Sequence, residues 1–256
     1  MEGMIYIVGM GPGNRGMMTR DAYEAVSAAD VIVGYTVYTE LMAKIVPGKE
    51  FVSTPMRHEI ERCRRCFELA EEGRRVALIC SGDAGVYGLA APMLEMAADY
   101  PDIDIAVVPG ITAANSGAAV LGAPLCHDYC VISLSDLLTP WPVIEKRLRA
   151  AVLGDFAIAI YNPSSHKRKD YLKRACTILM NAGAEPGRAC GYVENIGREG
   201  TAKVCCTLEE LWKADVNMFT TVFIGNSQTR VIGGRLVTPR GYVINPHREQ
   251  PDRETS

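Results

Sequence analysis

Short apolar runs alternate along this chain with longer segments in which apolar residues recur at helical spacing. Runs of this length are typical of buried strands, and in the first half they cover residues 5–8, 31–33, 76–80 and 103–108. Residues 19–29 and 59–72 have the period of amphipathic helices. Strands that alternate with helices predict an α/β fold with mostly parallel central sheets.

The alternation resumes after the tract Leu-Gly-Ala-Pro-Leu at residues 121–125, whose composition favours a domain boundary. Further apolar runs follow at residues 131–136, 156–161 and 220–225. The end of the chain is polar and lacks periodicity, which indicates disorder. We therefore predict two α/β domains, residues 1–121 and 122–245, followed by a disordered tail at residues 246–256.

The segment 76–88 combines a buried strand, a glycine-rich loop and the start of a helix. Open α/β sheets build small-molecule sites at such carboxyl ends of strands. The loop Ser-Gly-Asp-Ala-Gly at residues 81–85 lets a ligand approach the backbone closely, because glycine has no Cβ. Asp83 is placed to accept hydrogen bonds from ligand hydroxyls or amines. A tight turn between strand and helix, without a ligand, explains the same residues.

The first loop, residues 9–13, follows a strand but is not a dinucleotide fingerprint. Asn14 stands where that pattern needs a small residue, and the next strand ends in Gly34 and Tyr35 instead of an acid that would hold a ribose. No Gly-Lys-Ser/Thr follows, so it is not a Walker loop either. Pro12 fixes its own φ and has no N–H. The loop is therefore interpreted as a stiff wall beside a ligand.

Three other strand ends each have two interpretations. Tyr35 and Tyr38 either line a cleft or pack over the rim of the sheet. Thr112 either caps the following helix or contacts a ligand. The basic run at residues 166–169 lies where a helix is expected to begin, so it either binds carboxylates, which helix N-termini favour, or is a solvated basic face.

Composition narrows the cellular setting. The formal net charge of the 256 residues is −3, which does not favour nucleic acid or an anionic membrane as a partner. We find no signal peptide and no apolar stretch near the roughly 20 residues of a membrane span. A cytoplasmic location is expected, with the nine cysteines mostly reduced.

Two cysteine groups have the spacing of metal or redox sites. Cys63 and Cys66 form a CxxC, but they fall inside a helical pattern and no second CxxC completes a zinc site. They are therefore interpreted as helix residues, one of them on the core face. Cys126, His127 and Cys130 carry ligand types that suit a metal. This group occurs once, and no metal is predicted.

Five loops at successive strand ends resemble, in order, those of the tetrapyrrole methylase family, which uses S-adenosylmethionine. The loops are Gly-Met-Gly-Pro-Gly at 9–13, Ser-Gly-Asp-Ala-Gly at 81–85, Pro-Gly-Ile-Thr-Ala-Ala at 109–114, Ile-Tyr-Asn-Pro-Ser-Ser at 160–165 and Arg-Glu-Gly-Thr at 198–201. Within the family, the stretches 34–38, 127–128, 132–141 and 161–165 are similar to the branch that methylates C17 of precorrin-3B or cobalt-factor III.

The resemblance implies two αβα domains with the methyl donor in the cleft between them, and a homodimer. It also implies a polycarboxylate tetrapyrrole as substrate and ring contraction alongside methylation in cobalamin biosynthesis. In this sequence Ala84 replaces the proline usual in the family's second loop, which makes that loop less rigid. Carried over by motif, the donor-binding positions are Pro12, Ser81, Gly82, Asp83, Val86, Thr112, Ala113, Asn162 and Gly200.

Methyl transfer from a sulfonium needs alignment more than acid–base groups, whereas ring contraction needs proton transfers. For the latter, the polar cluster at the start of the second domain supplies the catalytic candidates Ser133, Ser135, Asp136 and His127. Capping and turning of the chain would explain the same cluster. The candidate rim for substrate carboxylates is Arg15, Arg57, His58, Lys167 and Arg168.

Three other functions stay open at this level. A sibling methylase acting at another ring position would share the donor loops. A methylase that forms diphthine would act on a protein, which the motifs of the second half disfavour. A nucleotide-binding module without chemistry belongs to a different class, and the missing dinucleotide and Walker signatures speak against it.

Overall fold

The computed structural model describes residues 3–165 and 168–243. The predicted tail at residues 246–256 and the candidate Lys167 therefore lie outside the described residues. The first half forms a five-stranded sheet in the order β3-β2-β4-β1-β5, with every pairing parallel. Its strands are β1 (Met4–Gly9), β2 (Val31–Tyr35), β3 (Glu50–Thr54), β4 (Arg75–Cys80) and β5 (Asp104–Val108).

Helices cover both faces of this sheet, as a parallel sheet requires. They are α1 (Arg20–Ala28), α2 (Thr36–Ile45), α3 (Glu59–Glu71) and α4 (Ala90–Met96), with short 3-10 turns at Arg15–Met17 and Ala97–Asp99. The predicted helices at 19–29 and 59–72 are confirmed as α1 and α3. Thr19 caps α1 by accepting a hydrogen bond from the N–H of Ala22 at 3.1 Å, and α3 ends before Gly73 at φ +80°.

The second half is built on another five-stranded sheet, in the order β10-β9-β11-β8-β7, and a small sheet in the order β12-β13-β6. Helices α6 and α7 pack against the five-stranded sheet and one another around buried apolar side chains. The elements are α5 (Ala113–Leu121), β6 (Gly122–Ala123), β7 (Tyr129–Ser133), α6 (Trp141–Leu153), β8 (Ala157–Tyr161), α7 (Tyr171–Asn181), β9 (Ala189–Glu194), β10 (Ala202–Thr207), α8 (Leu208–Lys213), β11 (Thr220–Ile224), β12 (Arg230–Ile232) and β13 (Arg235–Val237).

The α/β class is confirmed, but the prediction of mostly parallel sheets is wrong for the second sheet. Only β7 and β8 pair in parallel there, while β8–β11, β11–β9 and β9–β10 are antiparallel. The cause is the loop between β9 and β10, residues 195–201. A parallel pair needs a long crossover, usually a helix, whereas this short loop turns the chain straight back as a hairpin.

Strand β3 was not predicted. Its five residues lie at the edge of the first sheet and only Thr54 is buried. An edge strand of this kind lacks the continuous apolar run that revealed β1, β2 and β4.

Helix α5 joins the two halves. It follows β5 of the first sheet, but its buried side chains Ala114, Ala118 and Leu121 pack with Val193 and Phe223 of the second. The division at residues 121 and 122 remains a prediction. Within the described ranges, no helix has the length and hydropathy needed to cross a membrane.

Candidate active site

Three loops meet by backbone contact at the carboxyl ends of β1, β4 and β5. Gly11 and Gly82 exchange two backbone hydrogen bonds, at 3.0 and 2.8 Å. A Cβ built on Gly110 would lie 2.2 Å from the carbonyl oxygen of Gly82 and 2.4 Å from that of Gly9. Only glycine permits this approach, so the three loops form one rigid wall.

Asp83 locks this wall. Its carboxylate accepts hydrogen bonds from the N–H groups of Gly85 at 2.8 Å and Gly110 at 2.9 Å. The two loops after β4 and β5 are thereby tied to each other. The structure thus gives Asp83 partners within the protein, and the predicted hydrogen bond to a ligand remains a prediction.

A cleft of about 220 Å³ opens beside this wall, with residues of both halves around it. Seven of the nine predicted donor-binding positions line it, whereas Asp83 and Gly200 lie outside the lining. The seven are Pro12, Ser81, Gly82, Val86, Thr112, Ala113 and Asn162. The structure therefore brings most of these positions together, although they are up to 150 positions apart (162 − 12) in the chain.

Tyr161, at the end of β8, caps helix α5 from the opposite half. Its phenol oxygen accepts a hydrogen bond from the N–H of Ala114 at 2.7 Å and lies 2.5 Å from the hydroxyl of Thr112. Thr112 occupies the N-cap position, but its own side chain makes no capping hydrogen bond. Burial raises the pKa of Tyr161, partly offset by the hydrogen bond with Thr112. The phenol therefore stays protonated at neutral pH.

Tyr87 makes the reciprocal crossing, from the loop after β4 to strand β7. Its hydroxyl donates to the carbonyl of Val131 at 3.1 Å and accepts from the N–H of Ser133 at 3.2 Å. Strand β7 is the edge of the second sheet, so these backbone groups have no strand partner on that side. Tyr87 has φ +54°, which an L-residue rarely adopts, and its ring centroid is 5.6 Å from that of Tyr161. The two tyrosines fix how the halves meet.

Three of the four catalytic candidates belong to one network. The Ser133 hydroxyl accepts from Nδ2 of Asn162 at 2.9 Å and from the N–H of Ser135 at 3.2 Å, while Ser135 accepts from Arg168 at 3.2 Å. Arg168 also pairs with Asp136, with Nε to Oδ1 at 3.2 Å. The network therefore runs from the cleft residue Asn162 back to a carboxylate.

Tyr171 completes this network on α7. Its hydroxyl donates to Oδ2 of Asp136 at 2.5 Å, and this hydrogen bond is the largest cause of its raised pKa. Both oxygens of Asp136 are thus held, one by Arg168 and one by Tyr171. Arg168 was predicted as a rim residue for substrate, but its guanidinium is mostly buried in this pair, with 14% of the side chain exposed.

The structure does not bring His127 to this network. His127 precedes the amino end of β7, whereas Ser133 ends the strand at the cleft. Its Nδ1 accepts from the N–H of Asp128 at 2.8 Å, and the side chain is exposed. The two ends of a five-residue strand are separated by roughly 13 Å.

The remaining rim candidates have local partners. Arg15 stacks over the ring of Tyr23 at 4.5 Å. Nδ1 of His58 lies 2.5 Å from the carboxylate of Glu61, and the N–H of Arg57 donates to Glu59 at 3.2 Å. These contacts give no indication of a common carboxylate site.

The residues that close the cleft from the second half were not predicted. Arg198 enters it from the loop after β9, and its Nε donates to the carbonyl of Pro12 at 3.2 Å. Tyr38, left open between cleft and rim, lines the cleft, and burial raises its pKa. The other lining residues that were not predicted are Tyr87, Tyr161, Asn195, Ile196, Met218, Phe219, Thr220 and Thr221. Asn195 and Arg198 lie in a loop from which the resemblance carried over only Gly200, and residues 218–221 contain no glycine.

The cysteines of the CxxC are core residues. Cys63 and Cys66 are both fully buried on α3, so the expectation that one of them faces the core is wrong: both do. Burial raises the pKa of Cys63 to about 11 and that of Cys66 further above its usual value. Both thiols are therefore protonated at neutral pH and poor metal ligands or nucleophiles. No group of three or more metal-ligating side chains occurs within residues 3–165 and 168–243.

The model of the family described as Tetrapyrrole (Corrin/Porphyrin) Methylases matches residues 4–212. The chain belongs to this family. The membership confirms the resemblance drawn from the five loops, and with it the prediction that the protein is an enzyme that transfers methyl groups.

Individual relatives of the chain are methyltransferases that act on tetrapyrroles. The chain is 46% identical over 242 residues to a probable cobalt-factor III C(17)-methyltransferase of Salmonella typhimurium, covering 94% of this chain and all of that relative. The crystal structure of the methyltransferase CobJ has a TM-score of 0.84 at 38% identity, covering 93% of this chain and all of the other. A Thermus thermophilus uroporphyrin-III C-methyltransferase, solved with S-adenosylhomocysteine, shares the fold at 20% identity and a TM-score of 0.68, covering 87% of this chain and 92% of that one.

Proposed function

We propose that this protein is an S-adenosylmethionine-dependent C-methyltransferase of cobalamin biosynthesis. It methylates C17 of cobalt-factor III or precorrin-3B, with contraction of the macrocycle. The observation that carries the proposal is the convergence of seven predicted donor positions on one cleft, in a chain that matches the whole length of a relative named for this reaction.

The described lining of the cleft fits the methyl donor. Four aromatic rings, those of Tyr38, Tyr87, Tyr161 and Phe219, offer flat apolar surface for an adenine ring. Hydroxyl and amide groups offer partners for the ribose and the amino-acid end of the donor. They come from Ser81, Thr112, Asn162, Asn195, Thr220 and Thr221.

The chain's own contribution to methyl transfer is alignment. S-adenosylmethionine supplies an activated methyl group when bound, so no nucleophile is needed from the protein. The glycine wall and the two crossing tyrosines fix the donor pocket before the substrate arrives. Proximity and orientation of this kind contribute up to roughly 7–11 kcal/mol to lowering a barrier.

Contraction also requires proton transfers, for which the network behind Asn162 is suited. The Ser133 oxygen already accepts two hydrogen bonds, so its own proton is available for donation. Asp136 is held by Arg168 through one carboxylate oxygen and by Tyr171 through the other. We assign proton transfer to Ser133, Ser135 and Asp136. His127 lies away from this network and is given no part in the transfer.

The test is a product assay with the isolated protein. The protein is incubated with S-adenosylmethionine carrying an isotopically labelled methyl group and, in separate reactions, cobalt-factor III and precorrin-3B. Mass spectrometry and NMR then locate the label. Label at C17 with a contracted ring is expected. Label at another ring carbon would favour a sibling methylase, and bound donor without transfer to either substrate would contradict the proposal.

The assembly and location follow the family resemblance. We propose a homodimer in the cytoplasm that acts on a polycarboxylate tetrapyrrole. Light scattering of the purified protein tests the first point, with a mass of twice 27.9 kDa expected. A single-chain mass at working concentration would contradict it.

A further inference from the structure

We propose that the guanidinium of Arg198 binds a carboxylate of a ligand in the cleft. The inference rests on the proposed function, because it concerns the ligands of the same site. Two sources of the carboxylate exist: the amino-acid end of the methyl donor and the acid side chains of the tetrapyrrole. The chemistry is the same for both, and the experiment below separates them.

Arg198 has unused hydrogen-bond donors at the cleft. It belongs to the loop after β9 and reaches across to the first half, where Nε donates to the carbonyl of Pro12 at 3.2 Å and Nη2 to the hydroxyl of Ser81 at 3.5 Å. A guanidinium has five N–H donors, so three have no acceptor among the described residues. A carboxylate can take two of these at once in a bidentate pair.

Its charge is uncompensated within the described part of the chain. Arg198 is the one described lining residue whose side chain carries a formal charge at neutral pH. No carboxylate of residues 3–165 and 168–243 lies within 4.0 Å of its nitrogens. Arg168, in contrast, already has Asp136 as its partner. Among the described residues, Arg198 is therefore the cation of the cleft that can pair with an anionic group of a ligand.

Aromatic neighbours prepare this cation for binding. The guanidinium carbon lies 5.6 Å from the ring centroid of Phe219 and 6.0 Å from that of Tyr38, and the residue is half-buried. A guanidinium is weakly hydrated and stacks well on such rings. Because water is partly excluded here, a charge pair gains more than it would on an open surface.

Gly13 keeps Arg198 in this place. It has φ +143°, and a Cβ built on it would lie 2.9 Å from Cγ of Arg198. Because Gly13 has no Cβ, the side chain of Arg198 has the space to pass beside it. The positive sulfonium and ammonium groups of the donor are repelled by Arg198, which leaves carboxylates as the ligand groups that it attracts.

The experiment uses the variants Arg198→Met and Arg198→Lys in the full-length protein, with Arg149→Met as control. Arg149 lies on α6 and pairs with Glu145, outside the described lining of the cleft. Calorimetry measures the affinity for S-adenosylhomocysteine and for 5′-methylthioadenosine, which lacks the amino-acid end. Steady-state kinetics measures KM and kcat for the tetrapyrrole. Thermal unfolding checks that each variant is folded.

Two outcomes support the inference. If the donor carboxylate binds, Arg198→Met lowers the affinity for S-adenosylhomocysteine about tenfold to a hundredfold and leaves that for 5′-methylthioadenosine unchanged. If a substrate carboxylate binds, both affinities stay and KM for the tetrapyrrole rises at least about tenfold with kcat nearly constant. Arg198→Lys, which keeps the charge but loses the fork, shows a smaller effect in the same assay.

Two outcomes overturn it. If both variants lost affinity for S-adenosylhomocysteine and for 5′-methylthioadenosine to the same extent, Arg198 would have a structural role between the loops and not bind the carboxylate. No change in any of the measurements would remove it from binding altogether. Failure of the proposed function is distinct, because it would appear in the wild-type protein as absence of binding and turnover.

Discussion

The two halves of the cleft are built by different means. The first half presents backbone: glycines 9, 11, 82 and 110 bring three loops within direct contact at the ends of parallel strands. The second half presents side chains. Asn162 donates to Ser133, whose hydroxyl also accepts from the N–H of Ser135, and Arg168 joins Ser135 to Asp136. At Gly9 and Gly110 the wall has no space for an added Cβ, whereas a side-chain network tolerates conservative changes with loss of a particular contact. Binding of the donor and chemistry on the substrate are therefore expected to separate by mutation.

The largest effect is expected at the glycine wall. In Gly110→Ala the new Cβ meets two carbonyl oxygens at 2.2 and 2.4 Å, and backbone cannot move aside cheaply. We expect loss of S-adenosylhomocysteine binding and a decrease of about 1–3 kcal/mol in the free energy of unfolding. Calorimetry and chemical denaturation measure these. Gly187→Ala is the control, because a Cβ there meets nothing within 4 Å. If Gly110→Ala bound S-adenosylhomocysteine as tightly as the wild type, the first half of the cleft would not depend on its backbone contacts.

Asp136→Asn tests the second half. It removes the charge that pairs with Arg168 while keeping the shape, so we expect donor affinity to stay within a few-fold. Formation of the contracted product is expected to fall by roughly 10²–10⁴-fold, the usual share of acid–base catalysis. Glu145→Gln, in an exposed pair on α6, serves as control. Equal rates of contraction in Asp136→Asn and the wild type would remove the carboxylate from the relay.

The same variant has a spectroscopic signature. The pKa of Tyr171 is raised mainly by its hydrogen bond to Asp136, because the carboxylate stabilises the protonated phenol. In Asp136→Asn this pKa is expected to fall toward the ordinary value for tyrosine. An NMR titration of ring-labelled tyrosine, assigned with Tyr171→Phe, measures the change. An unchanged pKa would show that the hydrogen bond does not form in solution.

A smaller effect is expected where the halves are joined. Tyr161→Phe removes the cap of α5 and the contact with Thr112, so we expect a loss of about 1 kcal/mol in stability and a few-fold weaker donor binding. Tyr87→Phe breaks the reciprocal contact with β7 and is expected to act in the same direction. Denaturant unfolding and calorimetry on both variants and on the double variant test the link. Unchanged stability and donor affinity in both single variants would show that the crossings do not fix the pocket.

The smallest effect is expected at the amino ends of strands β2 and β4, at the end of the first sheet opposite the cleft. Hydrogen bonds from Arg75 lower the pKa of Asp30 from 3.8 to about 2. The stabilisation is therefore fully present above pH 3.8 and is lost as pH falls through about 2. Since Asp30 is largely exposed, Asp30→Asn is expected to cost about 1 kcal/mol or less at neutral pH. The difference in Tm between the two proteins should shrink as pH falls below 3.8 and vanish below about pH 2. A difference that persists there would exclude this ion pair as its cause.

The sequence predicted the backbone half of the site better than the side-chain half. Glycine loops after apolar runs are local signals, so the loops at residues 9–13 and 81–85 could be singled out, and the family resemblance then assigned Pro12, Ser81 and Gly82 to the donor. Arg198 and Pro12 are 186 positions apart, and no local pattern indicates their contact. Tyr161 as the cap of α5 depends in the same way on how the second sheet packs. The antiparallel pairing in the second sheet was not predicted, because the loop at residues 195–201 was interpreted as one of the five family loops and not as a hairpin.

The most direct test of the account is calorimetric titration of the purified protein with S-adenosylhomocysteine, with NADH as control. We predict one site per chain with micromolar affinity for the first and no binding of the second, and loss of that site in Gly110→Ala. Binding of NADH in place of S-adenosylhomocysteine, or S-adenosylhomocysteine affinity that is equal in the wild type and Gly110→Ala, would contradict the claim that the glycine wall and the crossing tyrosines form the methyl-donor site.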